Sequence, residues 1–282
     1  MARQRLGQHF LADAGWREEI ARAIRVSPQS IAPPAAGKSA EFCWIEIGAG
    51  HGEMTEQLAS TGAPVHAIEM DPQLAATLKR LAKRFPNVEI VSADILESDI
   101  AKIAAGKRVR IYGNLPYYIT SPILHHLFAS VELIDEIHIV IQHEVALRLA
   151  AQPGTRDYGY LSVLTQYFSR PELVLEIPRG AFRPPPEVGS ALVTLRMPGE
   201  RAKLPQIDTT SFLEFVKLCF SQKRKTLVNN LKSHLKPELV RAALANLKLR
   251  ADARAEQLSV ANLAALLQQL ENLPRADSAF LI

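Results

Sequence analysis

Two cysteines in 282 residues leave no room for a disulfide framework. Cys43 lies in an apolar, strand-like run and Cys219 in a helical one. Neither has metal or redox spacing, so both read as core residues. No apolar run approaches the roughly 18 residues of a membrane-spanning helix, and the opening MARQRLGQHFLAD lacks the apolar core of a signal peptide. These absences predict a soluble, cytosolic chain. Repeats and low-complexity tracts are missing as well, and with 48% hydrophobic residues and near-zero mean hydropathy a disordered or fibrous class is excluded.

A strong excess of one charge is also missing, since the net charge is only +4. The distribution is uneven, however. Residues 1–200 hold 20 Lys+Arg against 22 Asp+Glu, whereas residues 201–282 hold 13 against 7. A basic tail can be a solvated helical face, and it points to nucleic acid only where another feature agrees.

Along the chain, apolar runs alternate with helical patterns. FCWIEI (42–47), VHAI (65–68), VEIV (88–91), VRIY (109–112) and IHIVI (137–141) are separated by stretches such as DPQLAATLKRLAKRF, which predicts a parallel, doubly wound sheet. After a helix near 160–168, LVLEI (173–177) and ALVTL (191–195) are joined by RGAFRPPPEVGS, in which no helix is expected. Two such neighbours most simply pair antiparallel. The sum is an α/β fold with a seven-stranded, Rossmann-like sheet of the class I methyltransferase type, its last strand antiparallel. From Asp208 onward the pattern turns helical, so the expected domains are a catalytic one over 1–200 and a small all-α one over 208–282.

Three strand ends carry chemistry. EIGAGHGEMT (46–55) places Gly48, Gly50 and Gly52 where the first strand meets a helix, and glycine permits positive φ, close backbone approach and amides aimed at a ligand. The spacing is one residue shorter than the dinucleotide fingerprint, which disfavours NAD. The next strand ends at Glu69, some 20 residues on, where a carboxylate can accept from both hydroxyls of a ribose. The third ends at Asp94, which could accept from an adenine amino group. Together these signals describe an adenosine-containing cofactor.

The fourth strand runs into Asn114-Leu115-Pro116-Tyr117. This turn resembles the Asn/Asp-Pro-Pro-Tyr/Phe motif of methyltransferases that act on exocyclic amines of bases. Such an amine is a poor nucleophile because its lone pair is delocalised into the ring. Acceptors that hold both N–H bonds favour a tetrahedral nitrogen, and the Asn114 side-chain oxygen with a carbonyl near Leu115 or Pro116 could supply them, proline fixing the turn. Tyr117 would stack on the base.

With LGQHFLAD (6–13), QHEVALRL (142–149), YGYLSVLTQY (158–167), AFRPPPEVGSALV (181–193) and FSQKRKTLVNNL (220–231), the ordered motifs make the chain similar to the ribosomal RNA adenine dimethyltransferases over nearly its whole length, and within them to the small-subunit branch. The resemblance implies S-adenosyl-L-methionine as cofactor, S-adenosyl-L-homocysteine as product and no metal. It also implies N6,N6-dimethylation of adenosines, two adjacent ones in a 3′-terminal hairpin loop, in 16S ribosomal RNA of an immature 30S subunit, by a cytoplasmic monomer. It assigns His9 and Leu11 to a segment closing over the cofactor, and Gly48 and Gly50 to its methionine part. Glu69 goes to the ribose, Asp94 to the adenine, and Asn114 to both cofactor and target. Phe182 would help sandwich the base, while Lys223, Arg224 and Lys225 would meet RNA phosphates.

The QHEVALRL helix reads as structural, with Glu144 and Arg148 spaced i,i+4. Ala49 stands where the family commonly has proline and Gly189 where it has aspartate, which leaves that acidic role without a residue. Two alternatives remain on sequence grounds: a large-subunit RNA methyltransferase of the macrolide-resistance type, and a non-catalytic RNA-binding assembly factor.

Overall fold

The structure, a computed structural model, describes residues 9–25, 42–116 and 118–272. By contacts the chain divides into two compact units. One combines Met1–Ala146 with Pro171–Met197, and the other combines Leu147–Arg170 with Pro198–Ile282. The helix Tyr160–Phe168 therefore clusters with the C-terminal helices, which moves the boundary expected at residue 200. Its reason is visible in the second unit, where the ring of Tyr167 stacks on Phe212 at 4.6 Å.

The first unit is built on seven strands: β1 (Phe42–Ile47), β2 (Val65–Ile68), β3 (Val88–Val91), β4 (Arg108–Asn114), β5 (Ile134–Gln142), β6 (Arg170–Ile177) and β7 (Ser190–Arg196). Their order across the sheet is β3-β2-β1-β4-β5-β7-β6. The pairs β1/β2, β1/β4, β2/β3 and β4/β5 are parallel, whereas β7 runs antiparallel to β5, with Gln142 opposite Ser190. The expected reversal of the last strand is thus present, and β6 and β7 are neighbours. β1 is buried at five of six positions and β7 at six of seven, the continuous apolar signature of strands covered on both faces. Cys43 is one of these core residues.

Strand order, not strand direction, reverses at the parallel pair β1/β4, and the carboxyl ends of the strands at such a switch point are the usual ligand position in doubly wound folds. A further pair that the sequence did not suggest lies beside it. Phe10–Leu11 and Phe182–Arg183 form a two-residue antiparallel ladder, with Leu11 opposite Phe182. The proline-rich connection also contains a short 3-10 turn, Arg179–Ala181, where no helix had been expected.

The second unit is helical. Thr209–Cys219, Leu227–Leu231, Pro237–Asn246 and Val260–Glu271 join Tyr160–Phe168. Side-chain caps start three of them: Asp208 accepts from Ser211 N–H, Thr226 from Asn229 N–H and Ser259 from Asn262 N–H. No helix among the described residues is long and apolar enough to cross a membrane.

Candidate active site at the sheet rim

The loop after β1 holds Gly48, Gly50 and Gly52 at φ of +68°, +60° and +90°, left-handed backbone that disfavours any side chain. A Cβ on Gly52 would stand 2.8 Å from Leu78 and one on Gly50 3.1 Å from the Phe10 ring. At Gly48 nothing lies within 4 Å, so this is where a ligand can approach the backbone. One expectation is corrected here. The amides do not point at a ligand: Gly48 and Ala49 both donate to Ile68 O, Gly50 N–H donates to Glu69, and Gly52 to Ala49 O. The glycines serve conformation and clearance rather than donation.

Glu69 closes β2 and is only 3% exposed. Its Oε2 accepts from Gly50 N–H and its Oε1 from Asp71 N–H, both at 2.9 Å. Two amides fix the carboxylate, yet each oxygen retains a lone-pair direction for a further donor. Half-buried Asp94, after β3, spends Oδ1 on the amide of Leu96 at 2.9 Å, which leaves Oδ2 as the atom able to meet an amino group.

Two residues that the sequence reading passed over flank these acids. Met70 is 50% exposed and Leu96 is exposed, each directly after or two past its acid. Single exposed apolar side chains are ordinary, but two beside paired acceptors can cover the faces of a flat ring. Their signal was the placing of a large apolar residue immediately beyond a strand end.

Asn114 ends β4, opposite Val140 of β5. Its Nδ2 donates to His9 O at 2.8 Å. A carbonyl only accepts, so this contact fixes which end of the amide is nitrogen and turns Oδ1 toward other donors. Leu115 N–H donates to Val140 O and Ile119 N–H to Pro116 O, so the backbone of the turn is held to the neighbouring strand and to the following helix. Tyr117 lies outside the described residues.

The N-terminal segment reaches the same place. His9 Nδ1 donates to Pro184 O at 2.8 Å, its carbonyl receives Asn114, and Phe10 packs on His51 at 4.8 Å between ring centroids. His9 is therefore beside the site. Leu11 instead faces the core with Phe182, which is 1% exposed. The Phe182 ring belongs to the same buried cluster as Leu11, Ala181 and Leu192 and is not open to a base in this structure.

Beneath the rim lies Glu46, a buried acid within β1 that sequence reasoning missed. It accepts from Thr55 Oγ1 at 2.5 Å and pairs in register with Tyr112. Burial, reinforced by nearby Glu53 and Glu69 and opposed by the Thr55 bond, pushes its carboxyl up to about 8. The same burial, with Glu46 adding to it, raises the Tyr112 phenol. An acid inside an otherwise apolar run, FCWIEI, was the available clue.

In the helical unit, Lys223, Arg224 and Lys225 are exposed in the connection between Cys219 and Leu227. Asn230 braces that connection, its Nδ2 donating to Cys219 O at 2.6 Å and Gln222 O at 3.2 Å, and Lys223 Nζ donates to Arg156 O. Among the described residues no group of three His, Cys, Asp or Glu is placed to hold a metal ion.

The sequence profile described as "Ribosomal RNA adenine dimethylase" matches residues 1–272. A ribosomal RNA small subunit methyltransferase A from Koribacter versatilis is 39% identical over 279 residues, covering 94% of this chain and 93% of that one. Its counterpart in Acidobacterium capsulatum is 39% identical over 270 residues, covering 95% and 91%. Among solved structures, a dimethyladenosine transferase from Plasmodium falciparum superposes with a TM-score of 0.76 at 24% identity, over 93% of this chain and 98% of that one. The 23S rRNA methyltransferase ErmE superposes with a TM-score of 0.66 at 26% identity, over 93% and 100%.

Proposed function

Since the chain belongs to the ribosomal RNA adenine dimethylase family, we propose that it converts adenosines of 16S ribosomal RNA to N6,N6-dimethyladenosine, the target nitrogen being held at Asn114. It is a methyltransferase, and the small-subunit substrate follows from its 38–39% identical relatives, which are named as ribosomal RNA small subunit methyltransferases A. S-adenosyl-L-methionine is the proposed donor; when bound it supplies a methyl group already activated on a sulfonium.

The residues at the rim suit that molecule. Glu69 accepts from its ribose, Asp94 from its adenine amino group, and Met70 and Leu96 cover the ring. The loop at Gly48 and Gly50 has spent its amides on the protein, so it offers few donors to a pyrophosphate and suits a cationic group better. That is the chemical reason for preferring a sulfonium donor to a dinucleotide.

The observation that carries the reading is the amide of Asn114. With Nδ2 committed to His9 O, Oδ1 accepts one N–H of the target amine, and the Leu115 carbonyl accepts the other. Two acceptors on one nitrogen draw its lone pair out of conjugation, so the chain contributes alignment and electrostatic complementarity with no dedicated base. Tyr117 is the proposed stacking partner. Phe182, whose ring is buried, supports the entrance strand by packing. Lys223, Arg224 and Lys225 meet RNA phosphates. The protein works as a monomer in the cytoplasm on immature 30S particles, modifying two adjacent adenosines of a 3′-terminal hairpin.

The test offers labelled S-adenosyl-L-methionine with immature small subunits, large subunits and protein-free RNA, and locates the product nucleosides. Label in dimethyladenosine of 16S RNA is expected. Label confined to large subunits would overturn the substrate, and cofactor binding without transfer anywhere would favour the non-catalytic assembly factor.

A further inference from the structure

The crevice does not end at Asn114. One strand over, where the carboxyl ends of β5 and β6 meet the amino end of the antiparallel β7, lies a cleft of about 530 Å³, lined by His143, Glu144, Glu176, Ile177, Pro178 and Val188. That volume lies within the range of small-ligand sites. The cleft is built into the sheet. His143 N–H donates to Gly189 O at 3.0 Å, and Ser190, which pairs in register with Gln142, is among its lining residues. From Asn114 it is displaced by one strand, and by the two residues that separate Val140 from Gln142.

Its chemistry is selective. Glu144 and Glu176 bring carboxylates, which repel phosphate and accept only from N–H or O–H donors. Val188 is 47% exposed and offers an apolar surface beside them. His143 Nε2 is shielded from water yet has no aligned hydrogen-bond partner among the described residues, the Glu176 carboxylate standing 3.4 Å away. An acceptor-rich cleft with an apolar wall matches a flat group that carries amino hydrogens. Bases drawn out of a stack are read in this way, by contacts to their edge and apolar cover on their face.

We propose that this cleft holds the amino-bearing nucleobase next to the target adenosines, with Glu176, backed by His143, meeting its edge and Val188 its face. The inference rests on the function proposed above, and it deepens that reading by naming a specificity subsite. Gly189 leaves room there, since a Cβ at that position would meet only Ile177 O at 3.6 Å.

The test is a two-by-two comparison. Immature small subunits are reconstituted with 16S RNA that is either intact or lacks the single base flanking the pair of target adenosines, both of which are kept, and KM and kcat are measured for the natural protein and for the double variant E176Q/V188A. On intact subunits the variant is expected to raise KM about tenfold, the loss of one base contact, with kcat nearly unchanged. Removing the base should raise KM of the natural protein by a similar factor, and should add nothing to the variant. A variant penalty that persists in full on base-deleted RNA would overturn the subsite and point to a ribosomal protein as the occupant. No effect of the variant on intact subunits would overturn it as well. Absence of transfer by the natural protein to any small subunit would overturn the underlying function instead, and is told apart because the variant is then never the deciding measurement.

Discussion

The sheet rim of the first unit and the basic connection of the second unit hold their functional groups in opposite ways. At the rim each polar side chain is tied by a specific partner: Glu69 by two amides, Asp94 by Leu96, Asn114 by His9. In the connection between Cys219 and Leu227 the bracing falls mainly on the backbone, through Asn230; the three cations are exposed, with Lys223 Nζ donating to Arg156 O. The difference matches the roles proposed for the two regions. Orienting an amine for transfer needs an acceptor placed to within a fraction of an ångström, whereas neutralising phosphates needs only charge near a charged polymer.

The comparison is broken most directly by Asn114→Ala. Transfer should fall by about 10²–10³-fold, the order seen when one preorganised polar contact to the reacting group is removed. Donor affinity and the melting temperature should stay close to those of the natural protein, read by calorimetry. Retained turnover would show that the rim needs no fixed acceptor.

Next in size is the simultaneous change of Lys223, Arg224 and Lys225 to alanine. Affinity for RNA should weaken, most at low salt, and the slope of log K against log salt should become shallower by about 2–3, close to one per lost cation. Donor affinity should not change. An unaltered salt slope would move the RNA contact to another surface.

The smallest effect is expected from E46Q and concerns stability. In the unfolded chain this carboxyl titrates near 4.5, and in the folded protein it holds its proton up to about 8. Between these values the unfolded state sheds a proton that the folded state keeps, so the natural protein loses stability as pH rises from about 4.5 to 8 and levels off above. Glutamine keeps an acceptor for Thr55 and removes the titration. Melting curves of E46Q should therefore run above those of the natural protein by a gap that widens by several degrees from pH 5 to pH 8. A constant gap would mean that Glu46 is not the titrating group.

Much of the fold was legible because buried strands announce themselves. FCWIEI and ALVTL are apolar almost without interruption, and the missing crossover helix before β7 predicted its reversal, which is observed. The strand-end acids were legible because a parallel sheet must place them on one rim. The donation expected from the glycine loop failed for a tertiary reason: the loop folds back on β2, and Ile68 O and Glu69 capture its amides. The family resemblance assigned Phe182 to sandwiching the target base, yet pairing with the strand at Phe10–Leu11 accompanies a ring buried in the core. The helix Tyr160–Phe168 was assigned by its place in the chain, and packing assigned it to the other unit.

Composition and local pattern alone determined the alternation of strands and helices, the family resemblance, and which residue types stand at each strand end. These depend on near neighbours in the chain, where hydrophobic period and turn chemistry act. Which way the Asn114 amide faces, that Glu46 carries a proton at neutral pH, and that a second cleft opens beyond β5 were decided by contacts between residues far apart in sequence. His9 and Asn114 are 105 positions apart, and only the closed fold brings a carbonyl from one to the amide of the other.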